Sequence, residues 1–186
     1  MNRPLFARAL VALCFVGTAC GKSGAGDVRS KWLAAKLVPT AAETKGVKLH
    51  VDIPEGLPEN KESIVGPDWM VKPVGEAGPR IGISLREKTF KTPEDLAREV
   101  EPDAKRADLV EVSKLDQGGG RLQYVSAVKN NRHLDVTVWI PTDETHGLEA
   151  SCHWYSGPDD KKSTDKPDAE LIAWLTKICD SIKLGS

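Results

Sequence analysis

The chain of 186 residues lacks any hydrophobic run long enough to cross a membrane as a helix. Its longest apolar stretch, Ala9 to Ala19, counts 11 residues, where a bilayer needs about 20. It also lacks charge of a prevailing sign, with 26 Lys and Arg against 27 Asp and Glu and a net charge of -1. Without a basic block or stripe there is nothing to neutralise phosphates, which argues against nucleic acid as a partner. No internal repeat is visible. The domain's one glycine cluster, Gly118 to Gly120, is not followed by the lysine and serine of a phosphate loop, and reads as a hairpin turn. No serine stands in a nucleophile elbow.

What is there begins at the amino terminus. Arg3 and Arg8 precede the apolar run, and the small residues Gly17, Thr18 and Ala19 lead into Cys20. A short apolar core behind a positive start, closed by small side chains that let a peptidase approach the backbone, is the pattern of a cleaved leader. The arrangement resembles a bacterial lipoprotein signal, with residues 1–19 removed and Cys20 left as the first residue. It departs from that pattern at Gly17, where a large aliphatic residue is usual. The resemblance implies fatty acyl chains on Cys20, and two or three such chains hold a protein firmly to a membrane. Gly21, in place of an aspartate, leans the expectation towards the periplasmic face of an outer membrane. Ordinary secretion with an unlipidated Cys20, or an uncleaved anchor, are the alternatives. Without the leader 24 basic residues face 27 acidic ones, a net charge of -3.

The remaining residues suit one domain. Of the four cysteines, Cys14 falls in the leader and Cys20 at its end, which leaves Cys152 and Cys179. In an oxidising compartment two thiols suggest one disulfide; the alternatives are two buried thiols or a metal site. Against a metal, Cys152 and His153 are adjacent on a strand and point to opposite faces. His50, His133 and His146 stand at no familiar zinc spacing, so no metal ligand and no cofactor is expected.

Residues 20–45 read as a tether, rich in Gly, Ser and Lys at its start, with a short amphipathic helix over Ser30 to Leu37. Residues 46–186 read as the globular domain. From Val47 the hydrophobic period is two: Val47, Leu49, Val51 and Ile53 alternate with polar residues, the mark of a half-buried strand. Further strands are expected around Glu62 to Val71 and at Ile81 to Leu85. Thr92, Pro93, Glu94 and Asp95 open a helix. Four strands follow, Leu109 to Leu115, Leu122 to Lys129, His133 to Ile140 and Gly147 to Tyr155, and connections this short allow only an antiparallel meander. Pro167, Asp168 and Glu170 start a last helix whose stripe is Leu171, Leu175, Ile178 and Ile182. If that stripe covers the face of Ala150, Cys152 and Trp154, Cys179 reaches Cys152. The class is α+β, a single domain built mainly on an antiparallel sheet of six to seven strands with helices packed on it.

This order, closing on "ICDSIKL", resembles the PsbP-like proteins, including the lipid-anchored LpqN and DcrB groups, over Val47 to Leu184. The resemblance implies a non-enzymatic accessory or binding protein and supplies no catalytic residue. Trp69, Trp154 and Trp174 read as core. Trp139, with polar neighbours on its face, either lies under a helix or, with Tyr155, forms an exposed binding face. The expected function is a non-catalytic envelope module binding an envelope protein or a small ligand. The alternative is a secreted hydrolase, which would bring a histidine and a carboxylate or serine within hydrogen-bond reach; a binding module would show an apolar patch with a polar rim.

Overall fold

The computed structural model describes residues 25–71, 76–88, 92–100, 109–128, 133–156 and 166–185. Cys20 and the expected leader, the Asn130-Asn131 turn and most of the loop from Ser156 to Lys166 lie outside the described residues. The elements are α1 (Ala25–Leu33), β1 (Leu37–Thr44), β2 (Val47–Pro54), β3 (Asp68–Met70), β4 (Gly78–Glu87), α2 (Pro93–Val100), β5 (Leu109–Gly118), β6 (Arg121–Val128), β7 (His133–Pro141), β8 (His146–Tyr155), α3 (Ala169–Asp180) and β9 (Lys183–Leu184). They form two sheets, one ordered β1-β2-β9 and the other β3-β4-β8-β7-β6-β5. Every strand pair is antiparallel, and β5 to β8 make the expected meander.

The period of two decides which face is buried. Leu134, Val136 and Val138 on β7, Leu148, Ala150 and Cys152 on β8, and Ile81 and Ile83 on β4 share the inner face and are buried. Helix α3 lies on that face with Leu171, Leu175, Ile178 and Cys179. Leu49, Val51 and Ile53 of β2 join the same core, so α3 is the filling between the two sheets. Each of the Leu, Ile and Val side chains contributes about 1.5–3 kcal/mol on leaving water.

Both ends of α3 are held. Asp168 accepts a hydrogen bond from the Leu171 amide at 3.1 Å, which satisfies one of the first-turn donors a helix leaves open. At the other end Arg121 of β6 donates to the Cys179 and Ile182 carbonyls, each at 3.0 Å, where a cation also meets the negative end of the helix. The disulfide Cys152–Cys179 joins α3 to β8 with the Cα atoms 6.1 Å apart.

The hairpin between β5 and β6 turns on Gly118, Gly119 and Gly120, whose φ values of 83°, 61° and 80° suit residues without a Cβ. Strand β5 ends the large sheet and is irregular, with register shifts between Glu111 and Ser113 and between Asp116 and Gly118.

Three expectations change. The first helix covers Ala25–Leu33 instead of Ser30 to Leu37. Part of the expected tether is fold: Trp32 is 6% exposed within the main core, and Leu37–Thr44 is a strand paired along its length with β2. Pro39 and the two alanines hide any alternation in "LVPTAAET", and β1 owes its shape to the turn at Lys45 and Gly46, with φ 47° and 84°. A proline is tolerated there because β1 is an edge strand. Lastly, the described residues form nine strands in two sheets, not six or seven in one, since β1 and the two-residue β9 pair with β2 and draw it out of the meander's sheet.

Candidate functional site

The large sheet has a second, outer face, and half of it is closed by α2. The Thr92 hydroxyl accepts from the Asp95 amide at 3.2 Å, the expected cap of that helix. Leu96 and Ala97 then pack on Leu122, Tyr124 and Trp139 as a separate small core. Trp139 is 0% exposed, which removes it from any binding face. Its ring lies against Gly147 on the neighbouring strand, in the space that a Cβ there would fill.

The other half of the outer face carries polar side chains from β7, β8 and β4. Register sets them side by side: Asp135 opposite His153, His133 opposite Tyr155, and His153 opposite Arg80. His133 Nε2 lies 3.1 Å from Asp135 Oδ2, and His153 Nδ1 hydrogen-bonds the other oxygen, Oδ1. The Tyr155 ring packs on both imidazoles, its centroid 4.7 Å from that of His133 and 5.5 Å from that of His153. The three polar side chains are half-buried, at 33% for His133, 21% for Asp135 and 19% for His153. Burial pushes the Asp135 carboxyl up, but hydrogen bonds from the two imidazoles outweigh it and hold the pKa at about 2, so the carboxylate is charged at any ordinary pH.

Beside this cluster Arg80 is locked in place. Its Nε and Nη2 donate to the two oxygens of Asp68 at 2.9 and 3.1 Å, and Asn60 donates to the same carboxylate at 2.9 Å. Those hydrogen bonds, against the opposing effect of burial, raise the Arg80 pKa, to which Tyr155 adds. Arg80, Tyr155, Met70, Val71, Pro79 and Glu76 line a cleft of about 150 Å³, small and largely apolar with charged groups at its edge.

Of the residues singled out from sequence, Tyr155 is at this site. Cys152 is on the opposite, inner face of its strand, bonded to Cys179. His146 is elsewhere, at the start of β8, with its Nδ1 3.3 Å from Asp143 Oδ1. The cluster itself was missed. Its signal was the alternation His133-Asp135 with His153 on the next strand, which becomes an association only if the hairpin register is known to the residue. Chemically, two imidazoles and a carboxylate form either a proton-holding network or a set of donors for a cation.

No helix among the described residues is long and apolar enough to cross a membrane. No protein-family model matches the chain, and no curated protein matches it.

Proposed function

We propose that the protein is a non-catalytic binding module of the cell envelope, anchored through lipid on Cys20 at the periplasmic face of an outer membrane, that takes a small ligand or an envelope protein on the open half of its outer sheet face. One observation carries the reading: α2 closes one half of that face, while the other half offers an apolar cleft lined by Arg80 and Tyr155, with the histidine pair packed on the Tyr155 ring. Side chains on paired strands are held more firmly than those on loops, which favours recognition. A buried disulfide suits an oxidising compartment.

Native mass spectrometry of the full chain, extracted from its own membranes in mild detergent, tests both parts. The expected spectrum shows acyl mass on Cys20 and a bound species that Tyr155→Ala removes. A full-length chain without acyl mass overturns the anchor, and a wild-type spectrum identical to that of Tyr155→Ala overturns the binding face.

The second reading, a secreted hydrolase, draws on His133 and His153 both lying within reach of Asp135. Turnover of an ester or phosphoester lost in His153→Ala would favour it over a binding module.

A further inference from the structure

We infer that His133, Asp135 and His153 form a binding site for a divalent transition-metal ion, and that zinc is the ion they fit best. This goes beyond the proposed binding role and holds whether or not the neighbouring cleft takes an organic ligand. One donor atom from each of the three residues lies within 4.8 Å of the other two. Tetrahedral zinc, with bonds of about 2.0–2.2 Å to nitrogen and oxygen, places its donors about 3.3 Å apart. His133 Nε2 and Asp135 Oδ2, at 3.1 Å, already stand at that spacing. His153, hydrogen-bonded to the other oxygen of the same carboxylate, supplies the third donor within 4.8 Å of both.

The donor set selects the class of ion. Two imidazoles with one carboxylate suit zinc and its transition-metal neighbours. Calcium and magnesium seek six or more oxygens and find one carboxylate here. Three protein donors leave a fourth position, and the half-buried setting opens that position to water or to a ligand's donor atom, the form of an open rather than a closed zinc site. Tyr155, packed on both rings, fixes their tilt. Proton balance is simple. Each imidazole presents a lone pair to the ion and keeps at most one proton, on its other ring nitrogen; a proton displaced by the ion passes to water, and no oxidant or reductant is needed.

The test is titration of the full chain with zinc at neutral pH against a chromophoric chelator, with circular dichroism confirming that each variant is folded. One equivalent is expected to bind, with His133→Ala, His153→Ala and Asp135→Asn each weakening uptake by about tenfold or more. His50→Ala and His146→Ala should leave it unchanged, and excess magnesium should not displace the ion. Cobalt in place of zinc should give a visible absorption band that His153→Gln abolishes. No saturable uptake by the wild-type chain at zinc concentrations up to about 100 µM, equivalent to about -5.5 kcal/mol, overturns the site, and this result needs no variant to fold. Equal uptake by wild type and the His133→Ala, His153→Ala double variant overturns it as well.

Discussion

Arg29 on the first helix grips Asp168, the residue that caps the last helix, across 139 positions of sequence. The contact is two-pronged, Nε to Oδ2 at 2.8 Å and Nη2 to Oδ1 at 2.9 Å, and Nη2 reaches Glu170 at 2.7 Å as well. One carboxylate thus serves the start of α3 and the seat of α1 together. Because the pair is part-exposed, Arg29→Ala should cost no more than about 1 kcal/mol in urea unfolding, and Asp168→Ala about 1 kcal/mol more through the lost cap. Burial raises the Asp168 pKa, but Arg29 and the helix amides more than offset it, so the net shift is downward. The pair's contribution is therefore complete at neutral pH and disappears as pH falls through the lowered value. A double-mutant cycle that yields the same coupling at pH 7 and at pH 2 would contradict this.

The Cys152–Cys179 bond closes a loop of sequence separation 27. In the chain-entropy account such a loop is worth about 3.5 kcal/mol. Both cysteines are 0% exposed, so reductant alone should act slowly on the folded protein and quickly once urea opens it. Replacing both by alanine should lower the urea midpoint by an amount corresponding to about 3 kcal/mol, measured against the oxidised wild type. A midpoint shift below a third of that would show that the cross-link restrains little.

Gly147 is a contact residue by virtue of having no side chain. A Cβ there would fall on the Trp139 ring and come within 2.8 Å of the Ile140 carbonyl. Gly147→Ala should destabilise by about 2–3 kcal/mol, the usual scale of an overfilled core. Adding Trp139→Leu to the same chain should recover part of the loss, because the space needed is the space the ring vacates. If the single variant is neutral in thermal unfolding, the ring does not lie where it is placed.

Asp135 makes acid sensitivity local. Its folded-state pKa of about 2 is below the unfolded value of about 3.9, so its contribution is present above the unfolded value and fades as pH falls from about 4 to about 2. The gap in stability between wild type and Asp135→Asn should be on the order of 2 kcal/mol at pH 5 and close to nothing at pH 2. Urea titrations at the two pH values measure it, and an unchanged gap would mean that the imidazoles do not hold the carboxylate.

How much of this was legible depended on whether a residue's partner was local. The capping hydroxyl of Thr92, the stripe on α3 and the alternation in β2 and β7 depend on neighbours a few positions away, and the helices and strands they signal are where they were expected. The pairing of Cys152 with Cys179 was expected once Cys14 and Cys20 were set aside with the expected leader, and the bond is there. The strand at Leu37–Thr44 was not readable, because "LVPTAAET" carries no alternation and its shape comes from β2. Trp139 had two readings, and only the position of α2 above it decides for burial. The histidine cluster needed the β7–β8 register to the residue. A slip of one would set Asp135 beside Trp154 or Cys152 on the other face, and the turn of Pro141 to Thr145 does not fix that count from sequence.

The irregular last strand, β5, carries a further consequence. Its two register shifts break the row of amides and carbonyls along the rim, and the Lys114–Glu111 ion pair, at 2.7 Å, puts charged groups there. At the opposite rim β3 has only three residues. A second molecule arriving at either rim of the large sheet finds no long regular ladder to extend, which guards that sheet against edge-to-edge growth. Such blunted flanks keep the large sheets of neighbouring molecules separate.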